Sequence, residues 1–147
     1  VTQAARHNNG MDPSCIFCKI AAGSAPAYVV YEDDTAVAFL DLAPLRQGHT
    51  LVIPRTHVPE VMSDGGGQAL TDVGPAIHHV SRKLMEVFGA DGISLLQANG
   101  AAAGQVVFHL HVHLVPRHEG DRSPLRWERD AEAADHVAQT HALIGGR

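Results

Sequence analysis

Apolar residues recur with two different periods along this chain, and the switches between them outline its elements. In "AYVVYEDDTAVAFLDL" the stretches Tyr28 to Tyr31 and Ala36 to Leu40 read as strands, and "EDD" supplies turn residues between them. "GHTLVIPR" predicts a third strand, His49 to Ile53, ended by Pro54. "DGGG" at 64–67 predicts a flexible break. From 68 to 88 the period changes: Leu70, Val73, Ile77, Val80, Leu84 and Val87 or Phe88 return at three- and four-residue steps, the spacing of one helix face. Pro75 predicts a kink or a late start within that helix, and Gly89 its end. "ISLLQA" (93–98) and "VVFHLHVHLVP" (106–116) predict two more strands, joined by the glycine-containing turn "NGAAAGQ". In the tail, Ala134, Val137, Ala138 and Leu143 predict a second, shorter helix. Five strands with hairpin connections and one long helix predict an α+β fold with a mainly antiparallel sheet.

The chain has 147 residues, enough for one domain with one core. Residues 1–14 are polar and predict a flexible extension in which Met11 offers an alternative start; residues 118–147 form a tail. No apolar run approaches membrane-spanning length and no apolar signal core opens the chain, so the cytoplasm is the expected location. A net charge of −5 argues against nucleic acid as a partner, and the pair Arg82–Lys83 reads as a solvated face. Two cysteines three apart do not make a secreted disulfide framework. "CIFC" has the spacing of a zinc-ligand pair or of a redox pair, and two buried thiols are the third reading.

The eleven histidines equal Lys and Arg combined, and three of them, His109, His111 and His113, occupy alternate positions in "HLHVHLVP". On a strand those three share one face at roughly 6.5 Å spacing, with Leu110, Val112 and Leu114 on the other. Three readings compete: a solvent-facing strand with tolerated histidines, a catalytic metal site, and nucleophilic catalysis at phosphorus. Zinc suits imidazoles at this spacing. Equally, a neutral imidazole attacks phosphorus near pH 7 while a neighbouring ring binds the phosphate oxygens. Chemistry alone leaves the second and third open.

"HLHVHLVP" resembles the signature of the histidine triad (HIT) family. "CIFCKI" (15–20), "AFLDLAP" (38–44), "GHTLVIPRTH" (48–57) and "NGAAAGQ" (99–105) also match, in the family's order. The resemblance covers about Cys15 to Arg117 and is strongest to the Hint-type branch. It implies an α+β subunit whose sheet extends across a homodimer. The implied activity is hydrolysis or transfer of a nucleoside monophosphate group, commonly release of AMP from a phosphoramidate, with purine nucleotides or nucleoside phosphoramidates as substrates. By motif, His111 is then the nucleophile that becomes nucleotidylated, His113 contacts the phosphate, and His49 is a further active-site histidine. Gly104 and Gln105 place donors on the phosphate, Asp41 accepts from the ribose hydroxyls, and Ile16, Phe17, Ile20, Phe39 and Leu42 line a slot for the base. In metal-binding members two cysteines and two histidines hold zinc, which here gives Cys15, Cys18, His57 and His109. Four protein ligands close such a site, so the zinc is expected to be structural.

Two departures stand out. Val106 follows Gln105 where the family usually carries Ser, Thr or Glu, which removes a side-chain donor and predicts a slow enzyme or an altered leaving-group preference. Ala98 replaces a usual asparagine, and the neighbouring Asn99 is the substitute candidate for the nucleotide pocket. Three further functions are carried forward: a dinucleoside polyphosphate hydrolase or phosphorylase, a nucleotide-binding module with vestigial turnover, and a zinc metallohydrolase with an open coordination site. Trp127, in the tail, is expected either to fold over the active site or to lie in a solvated extension.

Overall fold

The structure, a computed structural model, describes residues 10–121 and 129–145. A five-stranded, wholly antiparallel sheet has the order β1 (Val29–Glu32), β2 (Ala36–Leu40), β3 (Thr50–Pro54), β5 (Val112–Arg117), β4 (Gly92–Leu96). The helix α1 (Ile16–Ala21) lies on one face of the sheet and the long helix α2 (Gly66–Phe88) on the other; α3 (Ala131–Asp135) and α4 (Val137–Ile144) follow from the tail. The expected α+β class and antiparallel sheet are therefore present.

The two central strands are buried on both faces, which is why β2 and β3 read as apolar runs rather than alternations. Toward α2, Ala38, Val52, Val112 and Leu114 pack against Val73, Ala76, Val80 and Leu84. Toward α1, Phe39, Leu51 and Ile53 pack against Phe17 and Ala21. His113 stands opposite Leu51 in the β3–β5 register and so belongs to the α1 face. Helix α1 is only six residues long, too short to hold by propensity. Burial of Phe17, Cys18 and Ala21 and an N-cap made by Cys15, whose sulfur accepts from the Cys18 N–H, hold it in place.

Several boundaries differ from the sequence reading. "DGGG" is not a break: Gly65 caps α2 in the left-handed region at φ 83°, and Gly66 and Gly67 are already helical. Gly66 sits so close to the Val61 carbonyl that a Cβ would collide with it. Nor does Pro75 delay the helix. It lies inside α2, because the buried stripe Val73–Ala76–Val80–Leu84 spans it and offsets the roughly 3 kcal/mol such a proline costs. Leu70, expected on that stripe, is exposed and Ala69 is buried instead.

β5 begins at Val112 rather than at 106. Pro54 of β3 has no N–H to offer, its carbonyl accepts from the His109 ring, and the Leu110 N–H donates to Val58 instead of to the sheet. The tail forms two helices, and its buried stripe is Ala133, Val137, Thr140 and Ile144; of the four expected apolar positions only Val137 belongs to it. The expectation of a flexible segment over 1–14 does not extend to Gly10 and Asp12, whose backbones bond His57 and the Cys18 sulfur. Trp127 lies outside the described residues.

Candidate functional site

The site forms where the chain leaves "NGAAAGQ" and enters β5, on the α1 face of the sheet. Gly100 (φ 86°) and Gly104 (φ 92°) bracket a single turn of 3-10 helix, Ala101–Ala103, and turn the chain toward the histidines. His109, His111 and His113 do not form one evenly spaced row. Only His113 is within the strand; His109 is fully buried and turned toward the two cysteines, and the Phe17 ring makes edge contacts with both His109 and His111.

Hydrogen bonds fix the tautomers of the rings. His111 Nδ1 lies 2.7 Å from the His109 carbonyl, which can only accept, so Nδ1 carries the proton and Nε2 keeps its lone pair. His49 Nδ1 accepts from the Leu45 backbone N–H at 3.0 Å, so its proton is on Nε2. That Nε2 lies 2.8 Å from His113 Nδ1 and donates to it, which leaves the His113 proton on Nε2. A backbone amide thus sets, through two rings, which nitrogen of His113 is the donor. Burial keeps the rings neutral. It lowers His113 to about 3, with the neighbouring His49 and His111 contributing, and His49 to about 4, where Arg117 adds to the effect and Asp41 opposes it. His111 is lowered as well, again chiefly by burial.

His111 and His113 line a cavity of about 520 Å³, in the range of small-molecule sites. Its apolar wall contains Ile16, Phe17, Ile20, Phe39 and Leu42, the five residues read from the resemblance as a base slot, and Asp41, Gly104 and Val106 also border it. Asp41 Oδ1 accepts from the Ala43 N–H, and Oδ2 lies 3.6 Å from His49 Nε2. Val106 is 86% exposed at the rim.

Three residues sit differently from expectation. His49 does not line the cavity; it is buried behind His113, to which it donates, and its Nε2 also lies near the Asp41 carboxylate that borders the cavity. The Gln105 side chain is not a spare donor, because Oε1 accepts from the Gly100 N–H while Nε2 donates to the Pro59 and Val107 carbonyls. Asn99 is also turned away: its Oδ1 accepts from the Val61 N–H and the Gln97 amide, and its Nδ2 donates to Gln97. Both amides shape loops, and the polarity that suggested a ligand is spent on backbone groups and, for Asn99, on the Gln97 side chain. Conversely, Tyr28 and Arg129 line the cavity unforeseen. Arg129 belongs to no periodic pattern; it is brought there by α3, whose cap Asp130 donates its N–H to the Pro44 carbonyl.

Beside this cavity Cys15, Cys18, His57 and His109 bring one sulfur or ring nitrogen each to within 4.8 Å of one another. Cys18 Sγ lies 3.3 Å from His57 Nδ1, and both sulfurs lie 3.5 Å from His109 Nδ1. Tetrahedral zinc with ordinary Zn–S and Zn–N bonds holds such atoms roughly 3.5 Å apart, so this donor set fits the ion. The surroundings agree. His109 Nε2 donates to the Pro54 carbonyl and aims Nδ1 at the sulfurs, and the Asp12 and Cys18 N–H groups point at sulfur. Without a cation, burial pushes the Cys18 thiol up to about 11.

Fold and site together define a class: a small α+β protein with a histidine-faced, nucleotide-sized cavity beside a four-ligand Cys/His cluster. The family model of the HIT domain matches residues 22–120. The chain therefore belongs to the HIT family, a superfamily of nucleotide-binding proteins and hydrolases. It is 40% identical over 107 residues to the adenylylsulfatase HINT3 of Arabidopsis thaliana, a match covering 73% of this chain and 54% of that protein, so the chain spans about half of that relative's length. Among solved structures, a zinc-bound histidine triad family protein from Mycobacterium smegmatis superposes with a TM-score of 0.74 at 36% identity, covering 90% of this chain and 94% of the other. A hypothetical histidine triad nucleotide-binding protein from Sulfolobus tokodaii gives 0.70 at 33%, covering 89% and 92%. No helix among the described residues is long and apolar enough to cross a membrane.

Proposed function

We propose that the protein is a nucleoside phosphoramidase that releases a nucleoside monophosphate such as AMP through a covalent adduct on His111. The observation that carries this reading is the fixed tautomer of His111: a buried, neutral ring whose Nδ1–H is tied to a backbone carbonyl and whose Nε2 lone pair faces a nucleotide-sized cavity. The base lies in the apolar slot and Asp41 Oδ2 accepts from the ribose hydroxyls. His111 Nε2 attacks the α-phosphorus. The Nε2–P bond forms, the P–N bond breaks, and its electron pair leaves on nitrogen, which takes one proton from solvent to give the free amine. The His113 Nε2–H donates to a phosphoryl oxygen as charge builds there. Water then attacks phosphorus, the P–Nε2 pair returns to His111, and the water proton passes to solvent. His49 is a positioning residue: it holds His113 in the donor tautomer.

Cys15, Cys18, His57 and His109 would hold a structural zinc. When bound, the ion supplies positive charge for the buried thiolates and, with four protein ligands, has no open position for an activated water. This favours nucleophilic catalysis over the metallohydrolase alternative. Two copies are expected to pair through the sheet. The test is intact-mass spectrometry after mixing with adenosine 5′-phosphoramidate. Wild type should gain the mass of a nucleotidyl group and release AMP, whereas His111→Asn should do neither and still bind AMP. Full turnover by His111→Asn would exclude the mechanism, and AMP binding by wild type with neither adduct nor product would favour a binding module.

A further inference from the structure

The large cavity has a direction. On the α1 face the ladder registers set His113, Leu51, Phe39 and Val29 side by side across β5, β3, β2 and β1. Neighbouring strands lie about 4.8 Å apart, so this row runs roughly 14 Å from the His113 ring to the β1 edge. A nucleotide whose phosphorus meets His111 then lies across Leu51 and Phe39, with Asp41 at its ribose, and turns the outer edge of its base toward β1. Two polar side chains line the cavity on that side: Tyr28, next to β1, and Arg129. Arg129 is held there by its neighbour. The Asp130 N–H donates to the Pro44 carbonyl, three residues past Asp41, and the Asp130 carboxylate caps α3. Further along, the His141 ring of α4 donates to the Val29 carbonyl and lies against the Tyr28 ring.

Arg129 is exposed, and it is the one Lys or Arg among the described lining residues. Among the described residues no carboxylate lies within ion-pairing distance of it; Asp41 directs its oxygens to the Ala43 N–H and toward His49. A guanidinium offers five N–H donors in a planar fork and no acceptor. The outer edge of a 6-oxopurine presents two adjacent acceptors, O6 and N7, which such a fork meets with two hydrogen bonds. Adenine sets an amino group beside N7, so the same fork meets one acceptor and one donor. We infer that Arg129 reads the outer edge of the base and makes the protein select 6-oxopurine nucleotides, those of guanine and hypoxanthine, over adenine nucleotides. The inference rests on the proposed placement of the nucleoside in this cavity and adds no step to the reaction at His111.

Equilibrium titrations of the full chain with GMP, IMP, 7-deaza-GMP and AMP test it without requiring turnover. GMP and IMP should bind about fivefold more tightly than AMP, the low end of what a bidentate pair contributes, because the guanidinium is exposed. 7-deaza-GMP, which lacks the N7 acceptor, should fall toward AMP. Arg129→Gln should bring the affinities for GMP and AMP to within about twofold of each other, and Arg129→Glu, which sets an acceptor before the adenine amino group, should turn the preference toward AMP. Because the readout is a ratio, a general loss of affinity does not mimic the effect. Equal binding of GMP and AMP by wild type, 7-deaza-GMP bound as tightly as GMP, or a ratio that both variants leave unmoved overturns the inference, while the nucleotidyl-His111 adduct still forms. Binding of none of the four nucleotides overturns the placement of the nucleoside, and this inference with it. A GMP preference that follows Arg129 in a protein forming no adduct supports the inference and overturns only the nucleophile reading.

Discussion

His49 and His113 are two buried rings joined by one hydrogen bond, and their burial makes stability depend on pH in a defined direction. Both have folded-state values well below the ordinary histidine range, about 4 and about 3. Between those values and the unfolded value near 6.5, the unfolded chain binds more protons than the folded one. Their contribution is therefore complete above about pH 6.5 and declines as pH falls toward 4. The groups facing the pair oppose one another: Asp41 favours protonation of His49, while Arg117 disfavours it and His111 disfavours that of His113. Thermal denaturation at fixed ionic strength should show Tm falling from pH 7 to pH 4.5, and the fall should be shallower in the double variant His49→Gln, His113→Gln. Identical slopes would mean that the rings do not control acid stability. In kinetics, His49→Ala should lower kcat more than it raises KM, with partial rescue by His49→Gln, whose amide again offers a donor to His113. Little of this was readable beforehand. The residue types and their order identified the histidines, but the tautomers depend on Leu45 N–H and the His109 carbonyl, groups that side-chain identities do not reveal.

Among the elements, α1 and the approach to β5 stand or fall together. Cys15 and Cys18 lie at the start of a helix too short to persist alone, and their partners His57 and His109 flank the Pro54 corner and the strand entrance. A metal joining the four would close the α1 side of the nucleotide slot, because Phe17 lies between the cysteines and packs on both His109 and His111. Removing it with a chelator at pH 7.5 should lower Tm by 5 °C or more, and one equivalent of zinc should restore it in wild type but not in Cys15→Ser or Cys18→Ser. Metal analysis should give one zinc per chain; an unchanged Tm on complete removal would leave two buried thiols as the better account. The sequence carried the strands and the α2 face well because burial on a sheet or helix repeats every two or about 3.6 residues. It misplaced the beginning of β5, where alternation in "HLHVHL" continues past the last ladder bond. At Pro75 it overestimated a local penalty that a long buried stripe outweighs. The tail helices were visible only as apolar spacing, and their buried stripe, which includes Thr140, could not be chosen without the surface they cover.

At the scale of the molecule, the two edges of the sheet are not alike. The β1 edge is covered: α4 packs beside it and the His141 ring donates to the Val29 carbonyl. Among the described residues β4 pairs only with β5, and its other side presents an open strand with Leu95 half exposed. An open apolar edge is a template for strand pairing, and a second copy of the same chain can satisfy it through a two-fold axis that sets β4 against β4. That arrangement agrees with the expected homodimer and would bring the partner up to Leu96 and Ala98, which share a cavity with His111 and His113. Multi-angle light scattering over a hundredfold range of micromolar concentration should thus report twice the chain mass. Leu95→Arg puts like charges in register across the axis and should yield a folded monomer, judged by unchanged circular dichroism. A wild type that is monomeric throughout the range rules out pairing at β4, and a dimeric Leu95→Arg with native affinity moves the interface to another face.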